Sequence, residues 1–173
     1  MPRLLLVRHA EAGAPASDGD HERRLTAQGY ADAARMGAYF RASSLVFDLG
    51  LVSPTLRARD TFNMILRELP QKPACEFEAS LYNAGVDTLQ ELLAQAPGWV
   101  KTLAIVGHNP GLGEFAHFLL RGGEGALPRH FPAPCLAVID FPCVGWSETC
   151  AGGGRLDRFV NFSSLPADNP SAR

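Results

Sequence analysis

The sequence holds little that would carry it into a membrane, onto a nucleic acid or around a metal. No stretch of its 173 residues approaches the roughly 20 apolar residues of a membrane span. Charge of neither sign accumulates. The 16 Lys and Arg stand against 18 Asp and Glu, and the formal net charge of −2 gives no electrostatic hold on a nucleic-acid backbone or an anionic membrane. The opening residues run straight into an apolar segment, without the charged region, apolar core and cleavage site of a signal peptide, so a cytoplasmic location is expected. The four cysteines, Cys75, Cys135, Cys143 and Cys150, form no C-x-x-C pair, and no H-E-x-x-H occurs, so no metal is expected. Cys75 and Cys135 lie in apolar strand-like runs and read as buried thiols. A Cys143–Cys150 disulfide fits the spacing, but a cytosolic location argues against it. The run from Cys150 to Arg155 is one residue short of the C-x5-R loop of cysteine phosphatases. Gly152–Gly154 lacks the Lys-Ser/Thr of a phosphate loop and reads as a hairpin turn.

What is present is an ordinary globular composition, 46% hydrophobic and 20% charged, in a chain of one domain's length, 1–173, with a polar tail from about 163 that is expected to fray. Apolar runs alternate with helical patterns. Leu4–Val7 is a continuous apolar stretch, as in a strand covered on both faces. Thr26 is a good N-cap for a helix over 27–42, on which Ala33, Met36, Gly37 and Phe40 make a core face. A short strand over 47–53 leads to Ser53 as N-cap and Pro54 at the first helical position, with the helix ending near Leu69. Residues 74–82 read as an edge strand, 87–96 as an amphipathic helix and 101–107 as a second apolar strand. A helix follows Pro110 and Gly111. A Gly- and Pro-rich loop covers 122–134, and two late strands, "CLAVIDF" and "RLDRFVNF", can pair with each other. This alternation predicts an α/β fold, a mostly parallel open sheet with helices on both faces.

In such sheets ligands bind beyond the carboxyl ends of the strands. "LLLVRHAEAG" delivers Arg8 and His9 to one such end, "KTLAIVGHNPG" delivers His108 and Asn109 to another, and Arg57 falls in the first turn of the helix after the second strand. Two guanidiniums and two imidazoles in one pocket suit a compact oxyanion, because Arg makes planar bidentate bonds to phosphate. Helix N-termini beside them would add backbone N–H groups. The Arg charges also disfavour imidazolium, which keeps a histidine neutral and nucleophilic near pH 7.

These segments resemble a known family. "LVRHAEA" is similar to the first signature of the histidine phosphatase (phosphoglycerate mutase-like) superfamily, usually R-H-G, with Ala10 in place of Gly. "SPTLRARDT" resembles its second motif, S-P-x-x-R-[AC]-x-x-T, "IVGHNPGL" its third, and "RRLTAQG" at 23–29 the R-x-L-T-x-x-G stretch that follows the first. The short chain, the R-H-A-E-A and G-H-N-P variants and the lack of a large inserted cap most resemble the SixA-like phosphohistidine phosphatases. The resemblance implies a three-layer fold and a metal-independent phosphatase needing no cofactor. It implies that His9 attacks phosphorus and that Arg8, Arg57 and His108 hold the phosphoryl oxygens with help near Asn109. The implied substrate is phosphohistidine in a protein, such as a histidine-phosphotransfer domain. A small phosphorylated metabolite, as for a phosphomonoesterase or mutase-like member, is the alternative. A phosphate-recognising binding module on the same fold is the non-enzymatic one.

Many members of this superfamily carry a general-acid Glu after the second motif, and here the alignment places Ser80 there. Glu11, Glu76, Glu78 and Asp87 are the other candidate carboxyls. A protonated imidazole leaves as a neutral molecule, whereas an alkyl alcohol needs an acid, so a missing acid suits phosphohistidine. His21 reads as a solvated loop residue and His117 as a hydrogen-bonded packing residue, and the sequence leaves His130 undecided.

Overall fold

Leu4 to Val7 are all buried because helices cover both faces of the sheet they cross. The computed structural model describes residues 1–15, 17, 19–120, 127–128 and 131–165. Six strands, β1 (Arg3–Arg8), β2 (Leu49–Val52), β3 (Ala74–Phe77), β4 (Thr102–Gly107), β5 (Cys135–Asp140) and β6 (Arg155–Asn161), form one sheet in the order β3-β2-β4-β1-β5-β6. The first four in that order are parallel, and β5 and β6 are antiparallel additions. The helices are α1 (Ala27–Ala42), α2 (Leu56–Glu68), α3 (Val86–Ala94) and α4 (Gly111–Leu119). On one face Leu5, Val7, Ala104 and Val106 pack with Met36 and Phe40 of α1 and Phe62 and Ile65 of α2. On the other, Leu4, Leu6, Leu103 and Ile105 pack with Leu89 and Leu93 of α3 and Phe115 and Leu119 of α4. The mostly parallel α/β sheet expected from the alternation is therefore the fold. Among the described residues no helix is long and apolar enough to cross a membrane.

Local signals set most element ends. Thr26 caps α1, its hydroxyl accepting the Gly29 N–H at 2.9 Å. Gly29 lies against the first loop so closely that a Cβ there would sit 2.1 Å from the Glu11 carbonyl oxygen, so no other residue fits without moving that loop. Gly111 does the same at the start of α4, where a Cβ would fall 1.9 Å from the Ala84 carbonyl oxygen.

Two expectations are corrected. The helix after β2 starts at Leu56 with Thr55 at the N-cap position, not at Pro54 with Ser53 as cap; neither hydroxyl caps it, because both turn toward His108. Cys75 is exposed, not buried: β3 is the edge strand, all four of its residues face solvent, and Arg59 lies over Phe77 at 4.9 Å. Cys135 is buried in β5, and burial pushes its thiol up to about 12. Cys143 and Cys150 are unbridged. His117 is exposed, with its Nε2 3.3 Å from the Pro128 carbonyl. His130, most of the 122–134 loop and the tail from 166 lie outside the described residues.

Candidate active site

The register of the parallel strands decides what meets at their carboxyl ends. Arg8 pairs with Gly107 and Val52 with Val106, so the residues that follow, His9, His108 and Ser53, emerge along one edge. Arg57 reaches the same edge from the first turn of α2. Arg8, His9, Arg57 and His108 border a cavity of about 470 Å³ that also admits Asp20, Tyr82 and Asn109.

His9 is oriented from both sides. Its Nδ1 lies 2.7 Å from the carbonyl of Ala10, a contact that requires Nδ1 to carry the proton. Its Nε2 therefore bears the lone pair, and it accepts a hydrogen bond from Arg57 Nε at 3.2 Å. Burial, reinforced by the neighbouring His108, Arg57 and Arg8, pushes His9 down to about 3, against the pull of the Ala10 carbonyl. The ring is thus neutral at pH 7.

His108 is held by a second device. Its Nε2 lies 2.7 Å from the Ser53 hydroxyl and 3.5 Å from the Thr55 hydroxyl. Its Nδ1 is buried and has no hydrogen-bond partner among the described residues. Burial and the Arg57 charge push His108 down to about 4. Its ring meets that of His9 edge-on at 5.0 Å. Arg8 donates through Nη1 to the Phe131 carbonyl, while its buried Nε has no partner among the described residues; burial lowers its pKa from the ordinary value. Asn109 donates to the same Phe131 carbonyl at 2.8 Å. A buried guanidinium N–H and a buried ring nitrogen, both without partners among the described residues and on residues that line one cavity, suit an anion carrying several oxygens.

Several residues of this cavity are not marked by any sequence pattern. Asp20 accepts from Arg57 Nη2 at 2.7 Å, from the Tyr82 hydroxyl at 3.0 Å and from Arg23 Nη1 at 3.0 Å. Those bonds, Arg23's first, hold its carboxyl well below the usual range. Asp20 sits in an irregular polar loop with no periodicity to mark it. Tyr82 lies one residue beyond the short turn Ala79–Leu81, and its ring stands between those of His21, 4.1 Å away, and His108, 5.7 Å away. Ser53 is legible in the sequence as a cap and as the first residue of the second motif, but its contact with His108 is not. Of the carboxyls weighed as an acid, Glu11 lines the cavity. Glu76, Glu78, Asp87 and Ser80 do not line it; the Glu78 carboxylate instead accepts the Ser80 N–H at 2.9 Å and closes the turn.

The depressed histidines make stability depend on pH with a definite sign. Both fall from an unfolded value near 6.5, to about 3 and about 4. Between those limits the unfolded chain binds protons that the folded chain refuses, so stability falls as pH falls from 6.5 toward 4. Each ring contributes up to about 1.4 kcal/mol per pH unit across its interval. Thermal melting at about pH 6.5 and about pH 4.5 should show this decline, and His9→Ala should make it shallower.

Residues 4–93 match the histidine phosphatase superfamily (branch 1), and the chain belongs to that superfamily. An uncharacterised protein of Mycobacterium tuberculosis is 30% identical over 139 residues, 77% of this chain and 85% of that one. Among solved structures, a protein of Nakamurella multipartitia assigned as the phosphohistidine phosphatase SixA superposes with a TM-score of 0.79 at 26% identity, covering 92% of this chain and 95% of that chain. An Agrobacterium tumefaciens protein with the same assignment gives 0.77 at 28% identity, covering 92% and 98%.

Proposed function

We propose that the protein is a metal-independent phosphatase that works through a phosphohistidine at His9 and hydrolyses phosphohistidine in a protein. The observation that carries this reading is the His9 ring: neutral, with Nδ1–H fixed on the Ala10 carbonyl and Nε2 left as the electron-pair donor beside Arg57. His9 Nε2 attacks phosphorus, the Nε2–P bond forms, and the bond from phosphorus to the leaving nitrogen breaks. In this mechanism the Ser53 hydroxyl donates to His108 Nε2, so that Nδ1 carries a proton, and Arg8, Arg57 and His108 take the phosphoryl oxygens, with Asn109 at the rim. Water then attacks phosphorus, the Nε2–P bond breaks, and orthophosphate leaves. Fixed donors aimed at the transferring group contribute most to such catalysis, and two guanidiniums supply the charge that a metal would otherwise supply.

A protein substrate is favoured by the SixA assignments of two similar structures and by the aligned acid position, where Ser80 is no acid and stands outside the cavity wall. A histidine-phosphotransfer domain in the cytoplasm is the partner this implies. A small-molecule phosphomonoesterase is the second reading, favoured by Glu11, the one carboxyl of those weighed that borders the cavity. A binding module would need no neutral nucleophile beside Arg57.

The test is turnover with and without a chelator, and with vanadate. Activity should survive EDTA unchanged, and vanadate should inhibit competitively by occupying the Arg8, Arg57 and His108 donors as a trigonal bipyramid. Loss of activity with EDTA, restored by a divalent ion, would refute the metal-independent mechanism.

A further inference from the structure

The Arg57 guanidinium is gripped at one end and presented at the other. A guanidinium has five N–H groups in a fixed fork. Nη1 donates to the Asp20 backbone carbonyl at 2.6 Å and Nη2 to the Asp20 carboxylate at 2.7 Å, while Nε faces His9 Nε2 at 3.2 Å. One residue therefore spans the Nη1–Nη2 end of the fork with both its main chain and its side chain. The Nε–H is left facing the ring that receives the phosphoryl group.

We infer that Asp20 is a positioning residue that locks Arg57 so that its Nε edge addresses the phosphoryl group on His9. The inference rests on the reading of His9 as the nucleophile. Three observations support it. Arg57 is 6% exposed in its side chain, so its geometry is set by protein partners, and the Asp20 pair is the ionic one among them. Asp20 is itself braced: Arg23 bonds Oδ1 while its own Nε holds the Gly13 carbonyl at 2.8 Å, and the Tyr82 hydroxyl bonds Oδ2. The backbone at Gly19 runs at φ 103, a conformation that favours glycine, and brings the turn Asp20–Glu22 against α2. A carboxylate beside a phosphate site would by charge alone repel the substrate. Its place between two arginines is understandable if its geometry is what the site needs.

Geometry and charge make opposite predictions. If Asp20 positions Arg57, Asp20→Ala lowers kcat on an aryl phosphate by about 10- to 100-fold, the scale of a small misplacement, and changes KM by less than about threefold. Asp20→Asn keeps an oxygen for Nη2 and should return kcat to within about fivefold of wild type. Asp20→Glu keeps the charge but displaces the carboxylate by a methylene, and should lose at least about tenfold in kcat. The glutamate variant decides the matter should the alanine protein fail to fold, with thermal melting recorded for each. A folded alanine or glutamate variant with wild-type kcat overturns the inference while leaving the phosphatase reading intact. So does an asparagine variant as impaired as alanine. A wild-type protein that hydrolyses no phosphorylated substrate overturns the reading of His9, and the inference with it.

Discussion

Replacing His9 by alanine is expected to abolish turnover of every substrate, by about 10⁴-fold or more in kcat, in a protein that still folds. The size follows from the role. Arg8, Arg57 and His108 would remain to bind phosphate, but the Nε2 lone pair beside Arg57 would be gone. His108 is the other neutral imidazole, and its Nε2 is engaged by the Ser53 hydroxyl. Tyr82 donates its hydroxyl to Asp20. The fold should survive because the side chain lies at a strand end, outside the two apolar clusters that hold the sheet. Near-native circular dichroism with turnover lost is the expected result. Activity within about tenfold of wild type in a folded variant would remove His9 from the mechanism.

The second large effect concerns the leaving group. A positioned general acid contributes about 10²- to 10⁴-fold when the departing group must be protonated. Ser80, Glu76, Glu78 and Asp87 do not line the cavity, and Glu11 does, its carboxylate held 3.3 Å from the Thr26 hydroxyl. With Glu11 held by Thr26 and not serving as the acid, the proposed enzyme should favour phosphohistidine and aryl phosphates over alkyl phosphates by at least about a hundredfold in kcat/KM. Glu11→Gln should cost little with aryl phosphates. Should it slow alkyl phosphates strongly and aryl phosphates hardly at all, Glu11 is the acid. Leaving-group chemistry then no longer favours phosphohistidine, and the small-molecule reading takes its place.

Strand ends are legible in the sequence because they are marked by abrupt changes in chemistry. The run Leu4–Val7 stops at Arg8 and His9, and the run ending at Gly107 stops at His108. Parallel pairing in register then fixes which of these lie side by side. Contacts made by irregular backbone are not legible. Asp20 belongs to a loop whose path depends on Gly19 and on Arg23 reaching back to Gly13, and neither leaves a periodic trace. Ser53 and Thr55 flank Pro54, and both are good caps. His108, far along the chain, engages both hydroxyls, so neither side chain caps α2, and no local pattern announces that. The exposure of Cys75 is hidden from the sequence because the burial of a short strand depends on sheet order. "ACEF" at the edge is exposed throughout, whereas "LGLV" one strand inward is buried throughout.

Passage of the phosphoryl group through His9 underlies the whole proposed mechanism. Rapid acid-free quenching of the enzyme during turnover, followed by intact-mass and peptide analysis, tests it directly. The expected result is a phosphoryl adduct on the peptide carrying His9, labile to acid and stable to alkali, that forms and decays at rates matching turnover and is absent from His9→Ala. A phosphoryl adduct on any other residue at those rates, or turnover with no adduct under conditions where hydrolysis of the intermediate limits the rate, would contradict it.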